Sequence, residues 1–495
     1  MTMDWALTVM ITAPLLSALL SLLMKSRAAM ERLQSTHAAV LVAMMGVVVS
    51  GAGGTAAPAI GNILRTDALS AFMDLMLAFV GATGLLYALG YMGEELTRGH
   101  LSLKRYGRFF CFLNLYLFAM LLAANLDNIA LMWIAIEGST LSAALLINFE
   151  RTKTALEAGW KYIILSFVGI ALALFGTVLV YYASEHVLGV RMEALQWSAL
   201  YQAASELNPT ALELAFIFIV IGYGTKAGIA PMHTWLPDAH AEAPAPVSAY
   251  LSALMLNLAV YAILRFKSIV DPAVGADFSG PILLSLGLVS IGTAAIFMLI
   301  QRDYKRLFAY SSIEHIGIVL VGFGVGGPAG VFGGLFHMIG HALAKSTAFC
   351  AAGAVLLGRG TKEIEHATGL VRRMPLVGGA LALSALALAG MPPFGLFISE
   401  VLIATGAYSE RPWAAVLFLV LLSVAFGAMV CQVFRMAFGE PKEADRPIVI
   451  PGGRFAAVSL IAGLIAMASI GIHLPGFLRD LFIPMTQIFD SAAHG

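Results

Sequence analysis

Fourteen stretches of this chain are apolar over about the thickness of a bilayer, and no other feature restricts its fold as strongly. They run 5–24, 34–52, 68–92, 108–123, 127–148, 159–183, 210–230, 245–266, 280–300, 306–325, 329–356, 375–407, 412–435 and 455–473. A hydrocarbon core about 30 Å thick is crossed by about 20 helical residues. Within lipid each backbone N–H and C=O needs a partner in the protein, which leaves helices or closed barrels. Continuous apolar runs of this length predict helices, so the expected fold class is an all-α polytopic membrane protein of about 14 transmembrane helices. The first run has no basic start and no small-residue cleavage site, so it reads as a span rather than a removed signal.

Composition narrows the function classes. Hydrophobic residues make up 60% and charged residues 12%, against about 25% charged in an ordinary soluble domain. A soluble enzyme, a nucleic-acid binder and a disordered chain are excluded. Lys+Arg and Asp+Glu number 29 each, so net charge points to no acidic or basic partner. Cys111, Cys350 and Cys431 stand singly in apolar runs, without zinc or iron–sulfur spacing. There is no Walker loop, dinucleotide fingerprint or catalytic-triad arrangement. The expectation is a chain with no redox centre, metal, cofactor or active site of its own.

Basic residues set the expected orientation. The connections after spans 1, 3, 5, 7, 9, 11 and 13, with their flanks, hold 21 of the 29 Lys and Arg, among them Lys104, Arg151, Arg302, Lys442 and Arg446. The other side holds six: Arg65, Arg191, Arg265, Lys267, Arg411 and Arg479. Both termini are therefore expected outside, periplasmic in a bacterium, with the basic loops in the cytoplasm. The longest connection, 184–209, reads as a loop with at most a short surface helix.

A charge at mid-membrane costs about 2.5–3.5 kcal/mol on insertion scales, so ionisable residues inside spans are candidate functional groups. Glu137 lies in span 5, Lys226 near the end of span 7, Glu314 and His315 in span 10, and Glu400 in span 12. His337, His341 and Lys345 follow at i, i+4 and i+8 in span 11. That spacing forms one slowly drifting stripe with about 6 Å of rise between members. Three titratable groups in register favour passing a proton or holding a file of water over the plainer reading, in which each bonds a neighbouring backbone and locks packing. Burial disfavours a charged lysine and a nearby carboxylate restores it. A Glu–Lys pair with variable separation is thus a natural proton switch, and Glu137 and Lys226 are candidates for one. His233 and His240, in PMHTWLPDAH, suit proton entry or capping and interface roles. Lys305 and Arg306 suit transport or simple topological flanking.

Two spans are broken alike. Residues 226–235 read KAGIAPMHTW and residues 388–397 read LAGMPPFGLF. Both contain Ala-Gly-x-x-Pro, a large apolar residue, two spacers and an aromatic. Proline removes a backbone donor, and freed backbone is tolerated in a membrane where it lines a polar cavity. Breaks five spans apart predict two inverted five-helix repeats, spans 4–8 and 9–13. The expected organisation is 1–105 for spans 1–3, 106–268 and 278–437 for the repeats, and 438–495 for span 14 and the tail. The glycine-rich stretch GVGGPAGVFGGLFHMIGHALAKS reads as a seam for close helix approach.

The motifs WIAIEGSTLSA, GYGTKAGIAPMHTWLPDAHAEAPAPVSAYLS, RDYKRLFAYSSIEHIG and HMIGHALAKSTAF resemble those of the antiporter-like membrane subunits shared by complex I, Mrp-type cation/proton antiporters and group 4 membrane-bound hydrogenases. Asn257, Glu314 beside His315, and AEAPAPVSAYLSALMLN look most like the hydrogenase-4 component F type. The resemblance implies that Glu137 and Lys226 form a gating pair. It also implies that His337, His341 and Lys345 form a hydrophilic axis and that Glu400 is an outlet group. Where many relatives carry a bridging lysine in span 8, this chain has Asn257, which departs from the usual route between the halves. The chain also ends about 22 residues after span 14, so a long lateral helix is not expected.

The implied function is a non-redox, proton-translocating subunit of a redox-driven respiratory or hydrogenase complex. Its implied partners are other antiporter-like and small membrane subunits, the lipid bilayer of the cell inner membrane, and a peripheral hydrogenase-like or NADH dehydrogenase-like module. Iron–sulfur clusters and NiFe or flavin would sit in those partners. The alternative is a sodium/proton antiporter subunit of an Mrp-type complex without redox chemistry.

Overall fold

A computed structural model describes residues 3–51, 58–59, 63–440 and 450–490. Lys442 and Arg446, two of the basic residues used for orientation, lie outside the described residues. The chain is an all-α bundle. Among the described residues, 13 helices are individually long and apolar enough to cross a membrane. The expected span 12 is the exception, because it is divided into Pro375–Leu388 and Gly395–Glu410. The only strands among the described residues are a two-residue antiparallel pair, Pro58–Ala59 with Leu64–Arg65.

Short polar residues fix where the spans begin. Asp67, Ser102, Asn128, Thr152, Asn208 and Asp303 each accept a backbone N–H from the first turn of spans 3, 4, 5, 6, 7 and 10, satisfying donors that would otherwise be orphaned at a helix start. Burial then sorts the spans. The most apolar window of span 8, Ala245–Val274, is 100% buried and that of span 11, Gly327–Arg359, is 94% buried. Spans 13 (Pro412–Phe438) and 14 (Gly453–Ile472) bury 33% each and present the rest outward. The charged stripe therefore sits on one of the most enclosed helices.

Span 7 stops at Ala227 and resumes as Trp235–Glu242. Gly228 ends its first half in the left-handed region, at φ +72°. The break leaves few polar groups unmatched: Trp235 Nε1 donates to the Thr225 carbonyl at 2.8 Å and Ala230 N–H donates to Ser290 Oγ at 3.0 Å. Lys305, at the start of span 10, donates to the carbonyls of Ala243 (2.6 Å) and Ala241 (3.2 Å), closing the far end of the resumed helix. Span 8 contains one π-helical turn, Leu251–Met255.

The glycine seam of span 11 faces the second half of span 12. A Cβ on Gly333 would come within 3.1 Å of the Ser399 carbonyl, and one on Gly340 within 2.9 Å of Leu396. Without side chains there, Gly395–Glu410 lies directly on span 11.

The 184–209 connection is more built than a bare loop. Span 6 extends to Leu188, and two 3₁₀ turns flank a helix at Trp197–Gln202. Asp127 accepts from the Ser198 hydroxyl at 2.6 Å, and Trp197 Nε1 reaches the Arg265 carbonyl at 3.0 Å. Two of the basic residues expected in flanks on the less basic side form interior ion pairs instead. Arg265 binds both Asp67 oxygens, at 2.5 and 2.7 Å, and Lys267 binds Asp271 at 2.6 Å. The helix Gly476–Asp490 was not expected; its Phe482 packs on Phe72, Phe332 and Phe336.

Candidate functional site: a buried polar axis

Glu137 and Lys226 meet. Glu137 Oε2 lies 3.9 Å from Lys226 Nζ, with the glutamate side chain 21% exposed and the lysine 1%. At that separation the charges attract without a direct hydrogen bond. Thr140 fills the link: its hydroxyl donates to Glu137 Oε2 at 2.9 Å and accepts from Lys226 Nζ. Thr140 stands three residues after Glu137, which puts both on one helix face. Lys226 lies in the last turn of Pro209–Ala227, where unsatisfied carbonyls favour a cation, and it sits 5.7 Å from the centre of the Tyr162 ring. Sequence reasoning passed over Thr140 because a membrane hydroxyl most often bonds its own helix; its i+3 spacing from Glu137 was the available signal.

The span 11 stripe faces span 10. His337 Nε2 is 2.8 Å from His315 Nδ1, and His341 stacks obliquely on His315 with ring centres 5.3 Å apart. Lys345 Nζ donates to the Phe308 carbonyl at 2.9 Å. Glu314 is buried and close enough to Lys345 for their charges to interact. Both ring nitrogens of His341 lack a hydrogen-bond partner among the described residues.

Tautomers follow from the hydroxyl next door. Ser399 Oγ donates to the Leu396 carbonyl at 2.7 Å, which uses its single hydrogen. It must therefore accept from His337 Nδ1, 2.8 Å away. His337 then carries its proton on Nδ1 and accepts at Nε2 from His315 Nδ1–H. Serine, like threonine above, went unnoticed in the sequence because it becomes informative only once its neighbours are fixed.

Glu400 lies in the second half of span 12 with its carboxylate over the break. Gly390 is left-handed at φ +63°, and a Cβ there would overlap the Glu400 carboxylate. This is a second reason for glycine beyond the backbone angle. Glu400 is also the charged residue on the wall of a cavity of about 710 Å³ between the second half of span 12 and span 13. One ring nitrogen each of His315 and His337 and one Glu400 oxygen all lie within 4.8 Å of one another.

The remaining candidates are placed less centrally. Lys305 is buried and engaged with backbone carbonyls, while Arg306 pairs with Asp238 at 2.8 Å. His240 stacks on Phe349 with ring centres 4.7 Å apart. His233 sits beside Tyr310, with Nδ1 unbonded. Asn257 donates to the carbonyls of Ala253 (2.9 Å) and Met338 (3.2 Å), so it abuts span 11 one residue after His337. Beside it, Ser252 in the π-helical turn lies 2.8 Å from Ser312. Ser312 donates to the same Phe308 carbonyl that Lys345 uses, at 3.0 Å.

Residues 127–426 match the family described as NADH:quinone oxidoreductase/Mrp antiporter, TM. The chain is similar to the hydrogenase-4 component F homolog of Methylacidiphilum infernorum (isolate V4), at 41% identity over 422 residues covering 85% of this chain and 88% of that one. It is also similar to a Na(+)/H(+) antiporter subunit of Bacillus subtilis (strain 168), at 28% over 481 residues covering 92% of each. Its fold matches a chain in the structure of the membrane-bound sulfane sulfur reductase, an archaeal respiratory membrane complex. The TM-score is 0.83 and identity 25%, covering 99% and 98% of the two chains. With more than half of its length matched and this fold, the chain belongs to the NADH:quinone oxidoreductase/Mrp antiporter transmembrane family.

Proposed function

We propose that this chain is the proton-translocating, non-redox membrane subunit of a redox-driven complex of the respiratory or hydrogenase type. The observation that carries the reading is the Glu137–Lys226 pair, held 3.9 Å apart with Thr140 between the charges. Opening such a pair leaves a buried ammonium without its counter-charge, which drives proton release; closing it restores the charged lysine. Protons enter from the cytoplasm near the span 7–8 break or the start of span 10, by way of His233 or Lys305. They rest on Lys226 or on the His341/Lys345 stripe and leave outward at Glu400 after passing His315 and His337, with Glu314 biasing Lys345. Asn257 cannot carry a proton, so the hydroxyls of Ser252 and Ser312 take over the crossing toward Lys345.

In this reading spans 4–8 and 9–13 are inverted repeats, both termini face outward and the membrane is the cell inner membrane. Neighbouring antiporter-like and small membrane subunits flank the chain. A hydrogenase-like or NADH dehydrogenase-like module, holding iron–sulfur clusters with NiFe or flavin, drives it. The similarity to a hydrogenase-4 component F homolog over 85% of the chain supports that choice. The test is Glu137→Gln in the assembled complex: coupled proton uptake into vesicles is lost while the subunits still co-purify. Unchanged pumping per complex refutes the assignment.

A second reading, a cation/proton antiporter subunit without redox chemistry, is favoured by the 92% coverage of a Na(+)/H(+) antiporter subunit. Sodium-dependent proton flux in vesicles lacking any electron donor selects it.

A further inference from the structure

We propose that His315, His337 and Glu400 form a zinc site at the outlet end of the polar axis, with Ser399 as its positioning residue. The three donor atoms lie within 4.8 Å of one another, and two imidazoles with one carboxylate are a recurrent donor set for Zn²⁺ with an open fourth position. His315 Nδ1 and His337 Nε2 face each other at 2.8 Å across a single shared hydrogen. Tetrahedral bonds of about 2.0–2.1 Å need these nitrogens about 3.3 Å apart, a movement of about half an ångström. His337 already presents a lone pair at Nε2, because its Nδ1–H is held by Ser399. That is the outer contact that orients a metal-bound histidine.

His315 needs only to move its hydrogen to Nε2, which makes no hydrogen bond among the described residues. Glu400 swings over a glycine that offers no side chain to obstruct it. Binding therefore puts the metal where the shared hydrogen lay, that hydrogen staying on His315 at Nε2, and releases only a proton held by Glu400. Glu314, near enough to Glu400 for their charges to interact, is a second carboxyl beside the site. Glu400 also reaches the wall of the 710 Å³ groove between the second half of span 12 and span 13. A metal here ties three groups of the axis together, so Zn²⁺ acts as a blocker of transport rather than a cofactor.

The blocking role rests on the transport reading; the metal site does not, since Glu137 and Lys226 are not ligands and binding is measured without pumping. The full chain, purified in mild detergent and stripped by chelator, is titrated with Zn²⁺ and examined by zinc-edge X-ray absorption. The expected result is one equivalent bound more tightly than at the exposed pairs His100–Glu95 and His366–Glu363, with two imidazoles and a carboxylate in the first shell. His337→Gln and Glu400→Gln each weaken that equivalent at least about tenfold. Ser399→Ala weakens it about 10- to 100-fold with the ligand set unchanged. A spectrum without imidazole scattering overturns the proposal, and this measurement on the unmodified chain decides even if a variant fails to fold. Loss of the tight equivalent in His100→Gln or His366→Gln, or its survival in both His337→Gln and Glu400→Gln, overturns it too.

Discussion

Replacing Thr140 with valine keeps the side-chain volume and removes the one hydroxyl that touches both members of the Glu137–Lys226 pair. Two hydrogen bonds are lost, each to a charged group and each worth about 1.5–3 kcal/mol net. The remaining attraction, across 3.9 Å, is about 4 kcal/mol at an effective dielectric constant of about 20. It holds the charges near each other but no longer fixes their geometry. If the closed pair is destabilised by about 2–3 kcal/mol, the open/closed ratio shifts roughly 30- to 150-fold, at about 1.4 kcal/mol per decade. The assay is proton uptake into vesicles containing the assembled complex, driven by its electron donor and normalised to complex content. Thr140→Val is expected to lower coupled uptake at least about tenfold. Thr140→Ser, which retains the hydroxyl, should stay within about twofold of the parent. Normal uptake by Thr140→Val at normal assembly refutes the idea that the hydroxyl sets the pair.

Other perturbations test the frame and the axis. Arg265→Met leaves Asp67 buried without its cation and should destabilise the protein by about 3–5 kcal/mol, read as a lower melting temperature in detergent; adding Asp67→Asn should recover much of the loss. Burial alone would push the Asp67 carboxyl up, but the Arg265 guanidinium beside it outweighs burial and holds it below the usual carboxylate range. Its stabilising contribution is therefore present above the ordinary Asp value of about 3.9 and lost as pH falls through the lowered one. Asp67→Asn should flatten the acid limb of a melting-temperature profile, and an unchanged acid limb contradicts this. Gly390→Ala meets both a left-handed backbone, at about 1–2 kcal/mol, and the Glu400 carboxylate; uptake should fall more than in Gly379→Ala, where nothing lies within 4 Å. Ser252→Ala and Ser312→Ala each remove one end of the hydroxyl pair and should slow uptake without loss of assembly. If the double alanine variant pumps normally, protons cross by another route.

Much of this architecture was legible because the bilayer makes sequence patterns literal. Apolar length marked all fourteen spans, and the matching proline–glycine motifs marked the breaks in spans 7 and 12. Basic flanks were less transparent: Arg265 and Lys267 carry the right composition for loops, yet each folds inward onto a carboxylate supplied by another position. The short turns after span 6 and the helix Gly476–Asp490 carry no long apolar run and were underread for that reason. Lys305 shows how one residue admits two readings in sequence, since only the folded chain reveals the Ala241 and Ala243 carbonyls it caps.

The sequence by itself determined which side chains are costly to place in lipid, and hence the candidates Glu137, Lys226, the span 11 stripe and Glu400. Helical periodicity also determined that His337, His341 and Lys345 share a face. Which groups meet was decided by tertiary structure alone. Pairing Glu137 with Lys226 through Thr140, and His337 with both His315 and Ser399, joins residues from separate helices, and Glu400 meets Gly390 across the break of its own span. The local sequence of one helix carries no term for the position of another. Those distances are set by how closely the glycine seam lets helices approach and by where each broken span resumes.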